Sequence, residues 1–145
     1  MLDSQGKHRD AEVLYKQCLD MKKAIRGENH PDTLMIMNNL AIAYDSQGKY
    51  RDAEVLLKQC LDKQKVVHGE NHAETLRSMY NLAVAYDSHE KYRDAEVLYN
   101  QCLDKMKIVL GESHPYTIAT ISNLAKITSK IQSKSMTPNN FSTPK

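Results

Sequence analysis

Three residue types recur where they could do chemistry. Cys18, Cys60 and Cys102 are the only cysteines of the chain, and each lies in the same phrase, "QCLD". His30, His72 and His114 form a second series, and Asn39, Asn81 and Asn123 a third. Thiols can act as nucleophiles, metal ligands or disulfide partners, and imidazoles as bases or ligands. A carboxamide both donates and accepts, so it can hold a peptide bond. Spacing decides among these roles, and in every series it is 42 residues.

One residue per 42 is too sparse for a metal cage or a disulfide. Stacked helices sit about 8–10 Å apart, whereas bridged cysteines need Cα atoms within about 7 Å and zinc needs ligands converging at about 2 Å. The cysteines therefore read as small buried hydrophobes at helix contacts. The histidines, each beside a helix start, read as entry or capping residues. The sequence contains no G-x-x-x-x-G-K, G-x-S-x-G or H-E-x-x-H, and isolated Asp–Lys spacings suit solvated helix pairs. No catalytic constellation, metal site or cofactor is expected.

The elements that carry these series repeat with them. Residues 3–28 match 45–70 at 19 of 26 positions, and 45–70 match 87–112 at 19 of 26. Such a period implies stacked supersecondary units, none able to bury its apolar face alone. Within a unit, Leu34, Met37, Leu40, Ala41 and Tyr44 mark one helical stripe; Ala53, Leu57, Cys60, Leu61 and Val67 mark the next. Pro31 and Pro115 suit a first helical turn and Gly48 a stop, while Ala73 and Glu90 replace these punctuation residues in one copy. Six helices are predicted, at 8–26, 31–46, 50–67, 73–88, 92–109 and 115–131. The repeat array spans 1–131: a partial repeat 1–28, repeats 29–70 and 71–112, and a partial repeat 113–131. Second and first helices stand unpartnered at the two ends, so the array is expected to belong to a longer one or to associate with itself.

Composition narrows the class. The 145 residues are 41% apolar and 26% charged with a net charge of +2, which argues for neither nucleic-acid nor membrane binding. A polar N-terminus and an odd cysteine count favour a cytoplasmic setting. Residues 132–145, rich in Ser, Thr, Asn and Lys, read as a disordered basic tail.

Met37-x2-Leu40-Ala41-x2-Tyr44 followed by Ala53-x3-Leu57 resembles the tetratricopeptide helix pair. The phrases "GENHPDT", "NNLAIAY" and "GKYRDAEVLLKQCL" are similar to the 42-residue repeats of kinesin light chain and nephrocystin-type proteins. The resemblance implies an all-α fold, a right-handed superhelical α-solenoid of stacked antiparallel helix pairs. It also implies a non-enzymatic scaffold whose first helices line a groove that binds an extended or helical peptide of a partner protein. By position the groove would hold Met35, Asn38, Asn39, Ile42 and Ser46, then Arg77, Tyr80, Asn81, Val84 and Ser88, then Ala119, Ser122, Asn123, Lys126 and Lys130. The Asn series would grip peptide backbone, Tyr80 would offer an aromatic contact, and Arg77, Lys126 and Lys130 would favour acidic residues. Copies differ more here than in the scaffold: residues 29–44 and 71–86 agree at only 10 of 16 positions.

Overall fold

The computed structural model describes residues 4–135. Six helices follow one another: α1 (Ser4–Arg26), α2 (Pro31–Ser46), α3 (Tyr50–His68), α4 (Ala73–Ser88), α5 (Tyr92–Val109) and α6 (Pro115–Ser135). Each packs antiparallel on its neighbours in the chain, and α4 also touches α6, so hairpins stack in one direction as an α-solenoid.

Capping explains the boundaries. His30, His72 and His114 each accept, through Nδ1, the backbone N–H two residues on, from Asp32 (3.0 Å), Glu74 (3.0 Å) and Tyr116 (3.1 Å). An imidazole lone pair thus satisfies an orphan donor of the first turn, as Ser or Asp would. At the other end of α2, Lys49 N–H donates to Tyr44 O at 2.9 Å and Gly48 N–H to Asp45 O at 3.0 Å, a Schellman closure. Gly48 reaches it at φ +80°; Glu90 takes the same place after α4 at φ +63°, a left-handed conformation that costs a side-chain-bearing residue.

The core is a strip of three linked clusters. Leu34, Met37, Leu40 and Cys60 join α2 to α3; Ala41, Leu57, Leu76, Met79, Cys102 and Met106 form the middle; Ala83, Ala95, Tyr99 and Ile127 close the α4–α6 end. Ala53 and Ala95, wholly buried, sit where helices cross closely.

Four expectations need correction. Helix α1 starts at Ser4, four residues before the predicted start. Helix α6 runs to Ser135, four residues into the predicted tail, because Ile131 packs on the α4–α6 cluster and Lys134 reaches Glu90 at 3.6 Å. Residues 136–145 of that tail lie outside the described residues. Cys60 and Cys102 are buried rungs, but Cys18 is exposed: Cys60 lies between α2 and α4, against Leu34 O and Ser78 Oγ, whereas α1 has a first helix, α2, on one side only. Val67 is exposed; the buried position near that helix end belongs to Gln64.

Units are also joined at their turns. Gln47 Nε2 and Lys49 Nζ donate to Glu12 at 2.6 and 2.9 Å. One unit on, His89 lies between Glu54 (2.5 Å) and Asp45 (2.6 Å), and Lys91 donates to Glu54 at 2.7 Å. Both glutamates are buried, while Lys49 and Lys91 remain about half exposed, so water screens these contacts in part.

Candidate functional site

The first helices α2 and α4 define a valley whose floor is α3. Two clefts open along it. One, about 230 Å³, is lined by Met35, Asn38, Gln64, Arg77 and Ser78 near the helix N-termini. The other, about 240 Å³, is lined by Ile42, Ser46, Tyr80, Asn81 and Val84 near the C-termini. The valley thus gathers most of the residues predicted for the groove in the first two units. Met35 and Ile42 are about half exposed there, an apolar surface left uncovered among the described residues. Wider hollows beside Glu90, Arg93 and Lys134 and beside Tyr50 and His89 lie at the hairpin turns, away from this face.

The Asn series takes a part that spacing alone left open. Asn81 Nδ2 donates to Asn38 Oδ1 across the stack at 2.9 Å, and this bond stands between the two clefts. Asn123 Nδ2 donates to the Tyr99 hydroxyl at 3.2 Å and the Tyr80 hydroxyl at 3.5 Å. Both amides therefore bind the preceding unit, and much of their capacity is used before any ligand arrives. Asn39 is half-buried on α2, with no such bridge among the described residues.

Aromatic packing fixes the far wall. The Tyr80 ring lies 5.3 Å from Tyr116 and 6.1 Å from Tyr99, centre to centre. Burial pushes the phenols of Tyr80 and Tyr99 above the ordinary tyrosine range, so both remain hydroxyls. Burial likewise raises the Cys60 thiol and lifts that of Cys102 to about 12, so both of these remain thiols near neutral pH.

The cations expected in the groove are unevenly available. Arg77 pairs with Glu74 at 3.3 Å and Lys130 with Asp87 at 2.8 Å, while Lys126 is exposed on α6. Ala119 and Ser122 lie on α6, beyond both clefts. Among the described residues no group of three or more His, Cys, Asp or Glu is placed to hold a metal ion, and no helix is long and apolar enough to cross a membrane.

Sequence reasoning missed three features. Thr33 and Thr75, wholly buried, donate to Gly27 O (2.7 Å) and Gly69 O (2.6 Å) and tie α2 and α4 to the preceding turn. Glu12 and Glu54 are buried acceptors for the turns. Gln64 is a buried polar residue inside the valley. The threonines and the glutamates were detectable, since both share the 42-residue period; Gln64, replaced by Met106 one unit on, depends on how one unit sits on the next.

Helical hairpins stacked in a single file, with small residues at the crossings and a valley between first helices, define a helical-repeat scaffold. The particular kind is set by comparison. The chain belongs to the tetratricopeptide repeat family, whose profile matches residues 2–65 and 56–108. Its fold is similar to a Podosopora anserina protein described as a kinesin light chain with nearly identical TPR-like repeats: TM-score 0.79, 26% identity, 88% of this chain and 60% of that one. It is also similar to BtubC (BKLC) from P. vanneervenii, with TM-score 0.73, 25% identity, and coverage of 84% and 48%. A Q17M form of the P. anserina protein gives TM-score 0.73 at 25% identity over 90% and 61%. The chain therefore spans about half to three-fifths of the length of these structures. Comparison with curated proteins returns no match.

Proposed function

We propose that this chain mediates protein–protein interaction, as repeats of its family generally do, by taking an extended or helical peptide of a partner protein along the first-helix face, over α2 and α4. The observation that supports this most directly is the pair of adjoining clefts flanked by exposed Met35 and Ile42. Their walls combine apolar, amide, aromatic and charged groups, which suits the side chains of a docked peptide. In this reading Asn38, Asn39, Asn81 and Asn123 are polar posts of the groove, and Tyr80 its aromatic contact.

An acidic preference would come from Arg77 on α4 and from Lys126 and Lys130 on α6. The Arg77–Glu74 pair is a surface i,i+3 pair of modest strength, so an incoming carboxylate can take over the guanidinium. Capture from cell extract tests the proposal. Chain carrying Ile42→Arg and Val84→Asp should lose proteins that wild type retains, whereas Ile108→Arg on the outer face should not. Equal capture by all three would refute it.

A second reading is self-association, supported by Leu14, Met21 and Ile25, an exposed apolar stripe on α1. Light scattering that gives a monomer mass at every concentration would eliminate it.

A further inference from the structure

We propose that the cleft between the N-terminal halves of α2 and α4 is a subsite for a carboxamide, the side-chain end of an Asn or Gln in the bound peptide. This rests on the peptide-binding proposal and specifies one of its contacts.

Asn38 and Gln64 are each only 5% exposed, yet Nδ2 of Asn38 and Oε1 of Gln64 have no hydrogen-bond partner among the described residues. Native proteins rarely leave a buried donor or acceptor unpaired, because neither water nor protein then compensates for its desolvation. Both residues line the same cleft of about 230 Å³. The orientation of Asn38 is held from behind: its Oδ1 accepts from Asn81 Nδ2, which turns its own NH2 away from that bond. One residue thus carries an unused donor and the other an unused acceptor within the wall of the cleft, each reached by a ligand once its side chain turns toward it.

A carboxamide answers both, its carbonyl accepting from Asn38 and its NH2 donating to Gln64. A carboxylate answers only the first and meets the Gln64 oxygen with another lone pair. An ammonium group fails in the opposite sense. The charges lining the cleft do not reverse this, because Asp32 and Glu74 outnumber Arg77 there. The cleft has α3 as its floor, so the end of a side chain fits it better than a peptide bond, whose chain must continue on both sides.

The pair is not repeated in the next valley. Forty-two residues on, Tyr80 replaces Asn38 and Met106, wholly buried, replaces Gln64. A carboxamide would therefore be read at one place along the array, and this would fix the register of the peptide.

Selection of randomised phage-displayed peptides against the chain tests this. Expected is enrichment of Gln or Asn at one position, lost when selection is repeated on Gln64→Met while the other preferred positions persist. A selected peptide with that Gln changed to Glu or Leu should bind about tenfold more weakly to wild type, and no differently to Gln64→Met. Peptides with no carboxamide preference, a Ser or Thr preference in its place, or a preference unchanged in Gln64→Met would overturn the inference alone. Should no peptide be captured, the groove proposal falls and this one with it. Circular dichroism establishes that Gln64→Met is folded, and the wild-type selection decides the matter if it is not.

Discussion

Replacing Asn81 by Ala probes the bond that divides the valley. In the folded chain Asn81 Nδ2 lies 2.9 Å from Asn38 Oδ1, and Asn38 is 5% exposed with its Nδ2 already unpartnered. Truncation would leave a buried carboxamide with neither end satisfied. An orphaned buried polar group costs about 1–3 kcal/mol, and for a chain of this size each kcal/mol lowers Tm by roughly 2–4 °C. Asn81→Ala should therefore destabilise by about 1–3 kcal/mol, read from urea unfolding followed by circular dichroism. Asn38→Leu on the Asn81→Ala background should cost less than on wild type, because the group left orphaned is then gone. The double-mutant cycle should show a coupling of about 1 kcal/mol. A single-mutant effect of a few tenths, or strict additivity, would refute the bond and with it the division of the valley into two clefts.

Three further outcomes follow. Glu90→Gly should stabilise by about 0.5–1 kcal/mol, the relief of a left-handed residue less the added unfolded-state entropy of glycine; a lower urea midpoint would contradict the conformation at φ +63°. Hydrogen bonds from Lys16, Lys49 and Gln47 outweigh burial and hold the Glu12 carboxyl at about 2, against an ordinary 4.5. At Glu54 burial acts to raise the carboxyl, but Lys91 and His89 together bring it below the ordinary value. Both folded values lie below the unfolded ones, so this stabilisation is present above the ordinary carboxylate range and is lost as pH falls from about 4.5 toward 2. Glu12→Gln should flatten the acid limb of the urea midpoint against pH, and an unchanged limb would contradict the network. Finally, a thiol reagent should label exposed Cys18 rapidly in the native chain and buried Cys60 and Cys102 only on unfolding; three equal rates would contradict the packing.

Much of the architecture was legible because it lies within one repeat. A 42-residue period shared by Cys, His and Asn marked the units. Proline, histidine and glycine marked the ends: every helix but α1 begins where predicted, and α1, α2, α4 and α5 also end there. The site was legible only in part, because its decisive contacts run between units. Asn81 meets Asn38 and not Asn39, an offset of 43 and not 42 residues. Glu54 meets His89 at an offset of 35. Such offsets follow from how one hairpin rises over the last, which a linear period does not encode. For the same reason Gln64 resembled another polar residue on an outer helix, and Cys18 looked equivalent to two cysteines that a second first helix covers.

An amide chemical-shift titration of the labelled chain with a selected peptide decides whether a peptide lies along the first-helix valley. Saturable shifts are expected to centre on Met35, Ile42, Arg77, Tyr80 and Val84, with the outer faces of α3 and α5 unmoved. Shifts centred on those outer faces, or on the exposed stripe of α1, would contradict it.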